Sequence, residues 1–147
     1  MNKDLILFAT IAGTPIAVRA SEVEAVVRLQ EVIPVPLMPR HVCGLASLRS
    51  RVLTVIDMEA RVFGAGPQVR PAALAIVADV GAHSYGFLID SVTDICHASN
   101  GIQPVRGRID PHWAPFTSGL VELESRSHLL LTLADFVALA APATQAA

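Results

Sequence analysis

Two stretches of this chain are versions of one pattern, and their place along the sequence limits the fold more than any single residue does. GLASLRSRVLTVID, Gly44 to Asp57, and GLVELESRSHLLLTLAD, Gly119 to Asp135, both begin Gly-Leu-x-x-Leu and hold a polar tip containing Ser-Arg. Each then runs into an apolar strand and ends on Asp before a short helical segment. Earlier segments also recur. LILFATI and PIAV flank Ala12-Gly13-Thr14, as ALAIVAD and HSYGFLI flank Val80-Gly81-Ala82; both are glycine hairpin signals. Ser21-Glu22-Val23-Glu24-Ala25-Val26 has its counterpart in Asp90-Ser91-Val92-Thr93-Asp94-Ile95. Four features in one order, repeated at a spacing of about seventy residues, read as an internal duplication.

Local signals define the unit. Ser21-x-x-Glu24 has the form of a capping box and predicts one or two helical turns through Val27; Asp90 caps the matching turn. Pro34, Pro36 and Pro39 keep the next connection extended, as Pro104, Gly107, Pro111 and Pro115 do in the second copy. Gly44–Leu48 and Val52–Ile56 are paired strands, MEARVFG is a short helix stopped by Gly64, GAGPQVRP is a loop and PATQAA a frayed tail. About five strands per unit are enough to close a small barrel and remove its edges. The expected fold is therefore all-β, two packed five-stranded barrels with short helical turns in one 147-residue domain. The sub-barrels are expected at roughly 4–70 and 71–140, with a tail at 141–147.

Composition removes whole classes of function. With 52% hydrophobic and 16% charged residues the chain can build a core, which argues against disorder. A net charge of −2 gives no basic surface for nucleic acid. No run reaches the ~18 apolar residues of a membrane-spanning helix, so no direct membrane insertion is expected. In MNKDLILFATIAG, Asp4 interrupts the would-be basic region of a signal peptide and the apolar run leads straight into patterned sequence. Cys43 and Cys96 are read as reduced thiols of a cytoplasmic protein.

Catalytic chemistry has few candidates. His41-Val42-Cys43 on a strand would share a face, and Cys96 with His97 could complete four metal ligands, but the spacing is no standard zinc pattern. His83, His112 and His128 are expected to face solvent, and Trp113 and Phe116 to plug a barrel end. GAGPQ follows no strand and opens no helix, so it is no phosphate loop. No cofactor is expected.

The ordered segments resemble the CheW-like family of bacterial chemotaxis adaptors. The family pattern Gly-apolar-x-Asn-Leu-Arg-Gly, then a strand ending Pro-apolar-apolar-Asp-Leu, is similar to Gly44-Leu45-Ala46-Ser47-Leu48-Arg49-Ser50 leading to Thr54-Val55-Ile56-Asp57-Met58. Val23 and Val26, Pro34-Val35-Pro36, Gly86-Phe87-Leu88-Ile89-Asp90-Ser91-Val92, Ile102-Gln103-Pro104 and Gly119 follow in order, from about Asp4 to Leu139. The resemblance implies two SH3-like barrels with a groove between them and a non-catalytic role. Such a protein bridges the regulatory domain of a CheA-type histidine kinase and the cytoplasmic tip of chemoreceptors, and can self-associate in array rings at the membrane. By position it implies apolar contact surface at Val23, Val26 and Val32, the hairpin region at Gly44 and Arg49, and groove or second-barrel surface at Gly86, Val92 and Ile95.

The departures are as specific as the matches. The family's glutamate that pairs with the hairpin arginine is Ala25 here, its Asn is Ser47, its Gly is Ser50 and its strand Pro is Thr54. Arg49 is therefore expected to bond Glu22, Glu24 or Glu31, or the carbonyls ending the capped turn; Ser50 implies a turn with no positive φ at that position. Three readings compete: an adaptor joining receptor to kinase, a diverged paralogue serving another motility or chemosensory pathway, and a small thiol or metal-dependent barrel enzyme.

Overall fold

Side chains alternate across a strand, and in this protein both faces of the central strands are buried. The structure, a computed structural model, describes residues 5–39, 41–64 and 72–138. Strand β1 (Leu5–Ile11) sends Ile6 and Phe8 into one apolar cluster and Leu7, Ala9 and Ile11 into another. After the turn, β2 (Thr14–Arg19) repeats this, with Ala17 on the first side and Ile16 and Val18 on the second. In the other half of the molecule β6 (Leu74–Val80) places Ala75 and Val77 in a third cluster, while Ile76 and Ala78 join the one that holds Leu7. Three cores result: a lumen inside each barrel and a larger cluster between the barrels. The shared cluster also takes Phe87, Trp113, Phe116 and Phe136. Each fully buried large apolar side chain contributes roughly 1.5–3 kcal/mol.

The remaining elements are a 3₁₀ turn at Ala20–Glu22, β3 (Ala25–Arg28), β4 (Val42–Leu48), β5 (Arg51–Asp57), α1 (Met58–Phe63), β7 (His83–Ile89), β8 (Ser91–His97), β9 (Ile102–Gln103), a 3₁₀ turn at Ala114–Phe116, β10 (Thr117–Leu123), β11 (Arg126–Leu131) and α2 (Leu133–Ala138). One sheet has the order β8-β1-β2-β11-β10-β9 and the other β3-β6-β7-β5-β4. The first therefore has six strands, one more than expected.

The duplication is visible in this topology, but the division into sequential barrels is not. The opening hairpin of copy one, β1–β2, is flanked by β8 and β11 of copy two; the opening hairpin of copy two, β6–β7, is flanked by β3 and β5 of copy one. Both β2–β11 and β5–β7 are parallel pairs in otherwise antiparallel sheets. The copies have exchanged hairpins, so each barrel draws strands from both sides of the expected boundary at 70/71. That boundary itself lies outside the described residues, as do most of the GAGPQVRP loop and the tail.

Two further expectations are corrected. Val23 to Val27 is not helical: the 3₁₀ turn ends at Glu22, Ser21 makes no cap, and β3 pairs Val26 with Ile76. Likewise Asp90 caps no turn; its carboxylate accepts the Gly13 N–H at 3.3 Å, and Ser91–His97 is a strand on β1. Val, Thr and Ile in these segments fit a pleated surface, and a neighbouring strand was available to both. By contrast α1 is as expected, its Asp57 carboxylate accepting from the Ala60 N–H at 3.0 Å and Gly64 closing it at φ +78°. Trp113 and Phe116 are buried, but in the cluster between the barrels and not as a plug of one barrel end, Phe116 stacking on Phe136 with ring centroids 4.7 Å apart.

Of the histidines, His83 and His112 are exposed, whereas His128 is buried, set edge-on to Phe8 at 4.9 Å, contrary to expectation. His41 is buried as well. Burial pushes both imidazoles below the ordinary histidine value; Arg61 lowers His41 further, while carbonyls of Arg126 and Val121 partly offset the effect at His128.

Two outcomes are expected. Residues 1–64 expressed alone lack the hairpin that completes their barrel and stay unfolded by circular dichroism, whereas co-expression with 72–147 yields a folded 1:1 complex. An independent cooperative transition in the short fragment would contradict the exchange. Secondly, both histidines are neutral in the fold and take up protons more readily when unfolded. Stability is therefore full above pH ~6.5 and lost as the pH falls through that value towards the lower folded ones. Urea midpoints at pH 7.5 and 5.5 test this, and replacing both histidines with Gln should flatten the difference.

Candidate functional site

The candidate site residues fall into five environments. Val26, Val92 and Ile95 meet in a groove of about 470 Å³ between the two sheets, with Arg28, Leu74, Asp90 and Ser91 completing its walls. Its position follows from strand order: β3 is the edge of one sheet and β8 the edge of the other, both next to the shared core. Val26 and Val92 are half-buried against that core, and Ile95 is 52% exposed at the rim. Arg28 is fixed at the groove wall by donating Nη1 to the Ala72 carbonyl at 3.0 Å. The site is apolar at the base, with a cation, an anion and the Ser91 hydroxyl on its edges.

Val23 and Val32 are not part of this groove. Val23 packs on the shared core just ahead of β3, while Val32 packs on the lumen of the five-stranded barrel, on the side occupied by Ala25 and Val27. The three valines expected as one exposed cluster are thus split between two cores by the strand that replaces the expected turn. Gly86 is buried and faces the same lumen, where an added methyl would meet Leu53, Ala75 and Leu29 at 3.6–4.0 Å. It is an interior residue. Gly44 is also structural: its φ is +149°, and a Cβ there would overlap the Ile33 carbonyl. The space lets the Ile33–Pro34 segment lie against β4, where Ile33 and Leu45 exchange hydrogen bonds of 2.8 and 2.9 Å.

The hairpin arginines have divided roles. Arg49 sits at the tip with φ +57°, exposed, and its side chain has no hydrogen-bond or ion-pair partner among the described residues. The expected contact with a glutamate or with backbone carbonyls is therefore not made. Ser50 takes no positive φ, as expected; Arg49 carries it instead. Arg51 is the arginine that pairs: it grips Glu24 through two bonds of 3.1 and 2.5 Å, with Asp79 at 3.6 Å and Ser84 Oγ at 3.4 Å. The bond to Glu24 holds this guanidinium above its ordinary value. The other glutamate of the segment, Glu22, accepts the Leu133 N–H at 3.0 Å at the start of α2. Sequence reading missed Arg51 because only position 49 had a familiar neighbour pattern.

The thiol and imidazole candidates do not converge. Cys43 packs in the lumen of the five-stranded barrel and Cys96 against that of the six-stranded one. Burial, with Asp57 nearby, pushes the Cys43 thiol up to about 12, so it is protonated at neutral pH. Among the described residues no three His, Cys, Asp or Glu side chains come together as metal ligands. No described helix is long and apolar enough to cross a membrane.

Comparison with known proteins agrees with the resemblance. The CheW-like domain profile matches residues 5–141. A chemotaxis protein CheW of Rhizobium meliloti (strain 1021) is 35% identical over 103 residues, 68% of this chain; the match spans 65% of the relative's length. The crystal structure of the scaffolding protein TtCheW from Thermoanaerobacter tengcongensis superposes with a TM-score of 0.72 over 88% of this chain and 89% of that one, at 21% identity. At that identity the match speaks for the fold, two SH3-like barrels. The groove between exchanged barrels, the order of the segments and the family match agree: the chain belongs to the CheW-like domain family.

Proposed function

We propose that this protein is a non-catalytic cytoplasmic adaptor that couples chemoreceptors to a CheA-type histidine kinase, recruited to membrane-associated receptor arrays. The observation that carries the reading is the groove where Val26, Val92 and Ile95 converge from two sheets. These are three of the positions at which the resemblance implies partner contact. An apolar base with an exposed aliphatic rim suits a protein surface, where a few buried anchors dominate affinity. The kinase regulatory domain is the occupant proposed for this groove. Val23, Val32, Gly44 and Gly86 then act indirectly, by holding β3, the crossing segment and the lumen that shape it. Self-association into rings would use the same kind of modest apolar contact, and buried area alone does not set its affinity.

One observation favours the second reading, a paralogue with a diverged partner. Ala25 lacks the carboxylate that the resemblance leads one to expect, and the hairpin ion pair is made by Glu24 and Arg51 instead. A partner fitted to the more usual pairing would meet a different surface here.

Titration calorimetry with the CheA-type regulatory domain from the same cell tests the proposal. Ile95→Glu is the suitable variant because the side chain is exposed and the fold does not depend on it, unlike Val32. Saturable binding by the protein as it stands, weakened at least tenfold by Ile95→Glu, is the expected outcome. Absence of binding by the folded, unaltered protein would favour the paralogue reading.

A further inference from the structure

Three polar side chains beside the shared core hold buried nitrogens with no hydrogen-bond partner, and they come from neighbouring elements. His41 stands just ahead of β4, Arg61 lies on α1, and Trp113 precedes the 3₁₀ turn at Ala114–Phe116. The residues next to them, Val42, Val62 and Phe116, line the cluster between the barrels, as Trp113 itself does. His41 Nε2, Arg61 Nε and Trp113 Nε1 are the atoms concerned; His41 is 8% exposed and Trp113 1%. The elements are held against one another. The Asp57 N–H donates to the His41 carbonyl at 2.8 Å, the Arg61 guanidinium lies 5.1 Å from the centre of the Phe116 ring, and Phe63 stands edge-on to Trp113 at 5.9 Å. Arg61 is near enough for its charge to act on His41. The nearby carboxylates serve other groups: Asp57 caps α1, and Asp110 bonds His112 at 3.0 Å. Among the described residues no carboxylate pairs with Arg61.

We infer that His41, Arg61 and Trp113 form a binding site for a small monovalent anion of the size of chloride, set across the seam between the two copies of the unit. An indole N–H and a guanidinium N–H can only donate, so the partner they call for is an acceptor. A neutral imidazole with its proton on Nε2 supplies a third donor. The guanidinium stays charged, and a positive charge against apolar surroundings is costly without an anion beside it. Water would satisfy two of the donors and leave the charge unbalanced. One negative charge matches one guanidinium, which a phosphate dianion would exceed, and a halide accepts several N–H groups from any direction. None of the three residues lines the groove of Val26, Val92 and Ile95, so the site is independent of the adaptor reading. His41 and Arg61 belong to the first copy and Trp113 to the second. An anion held by all three would fasten one copy to the other at the edge of the core they share.

The chain has a single tryptophan, so its one indole N–H resonance reads the site directly. The full-length protein, dialysed into sodium gluconate, is titrated with sodium chloride at constant ionic strength while that resonance is followed by proton–nitrogen correlation NMR. The expected result is a saturable shift at millimolar chloride, reproduced with bromide and weakened at least tenfold in Arg61→Met. That variant keeps an unbranched apolar stem and removes both the donors and the charge. His41→Leu, which removes a different donor, is expected to weaken the response as well, and the remaining resonances show whether each variant is folded. The titration of the unaltered protein is decisive by itself: no shift, or a shift that rises without saturating, overturns the inference. A saturable shift that persists unchanged in both folded variants overturns it too. So does a nuclear Overhauser contact between bound water and the indole proton that chloride does not displace, since water would then be the partner of these donors.

Discussion

Everything in this molecule rests on one apolar cluster that belongs to neither barrel. Leu7, Ile16 and Val18 reach it from one sheet and Ile76, Phe87 and Ile56 from the other, with Phe136 and Trp113 packed around them. It forms only because β1, β2, β6 and β7 bury both faces: one lines a lumen and the other the seam. A strand with a polar outer face could close a barrel but could not join two. The seam also sets the groove, since β3 and β8 lie at the sheet edges beside it. The apolar contacts that define the fold thereby position the side chains proposed to meet a partner.

Polar groups act at the margins of this core, and their carboxylates serve tertiary ends. Glu22 reaches the start of α2, Glu24 holds Arg51, and Asp90 reaches the Gly13 N–H. Each ties one copy of the duplicated unit to the other or closes a barrel mouth. The Glu24–Arg51 pair is partly exposed, so its interest is geometric more than energetic: it fastens β3 to the hairpin while the tip arginine stays outside the network.

Much of this was legible in the sequence, for identifiable reasons. Glycine hairpins and the Asp57-to-Gly64 helix are local devices whose signals lie within a few residues of their effects. The repeated order of segments gave the duplication, and the hairpin pattern gave the family. The turn expected at Ser21–Glu24 failed because a capping box and a strand preceded by two tertiary carboxylates read alike; what decides is the presence of β6 beside it. His128 looked like a solvent-facing residue because nothing adjacent announces Phe8 across the lumen. Hairpin exchange leaves no trace in a pattern at all, since either pairing satisfies the same alternation. For the site, the sequence named Val26, Val92 and Ile95, which meet, together with Gly44 and Gly86, whose places are explained by packing. It assigned the ion pair to the wrong arginine, because the choice between positions 49 and 51 depends on which one the turn points outward.

The exchange of hairpins also bears on how the chain is made. Synthesis proceeds from the N-terminus at roughly 5–20 residues per second, and no barrel can close on the order in which its strands emerge. The five-stranded one waits for β7, which ends at Ile89, and the one containing β1 waits for β11, which ends at Leu131 of 147 residues. β2, the second strand made, is thus among the last to acquire its full set of neighbours, while β1 waits for β8, which ends at His97. For most of translation the apolar faces of that first hairpin have to be shielded by something other than the finished fold, and a chain cut short between Ile89 and Leu131 would hold every strand of one barrel and lack part of the other.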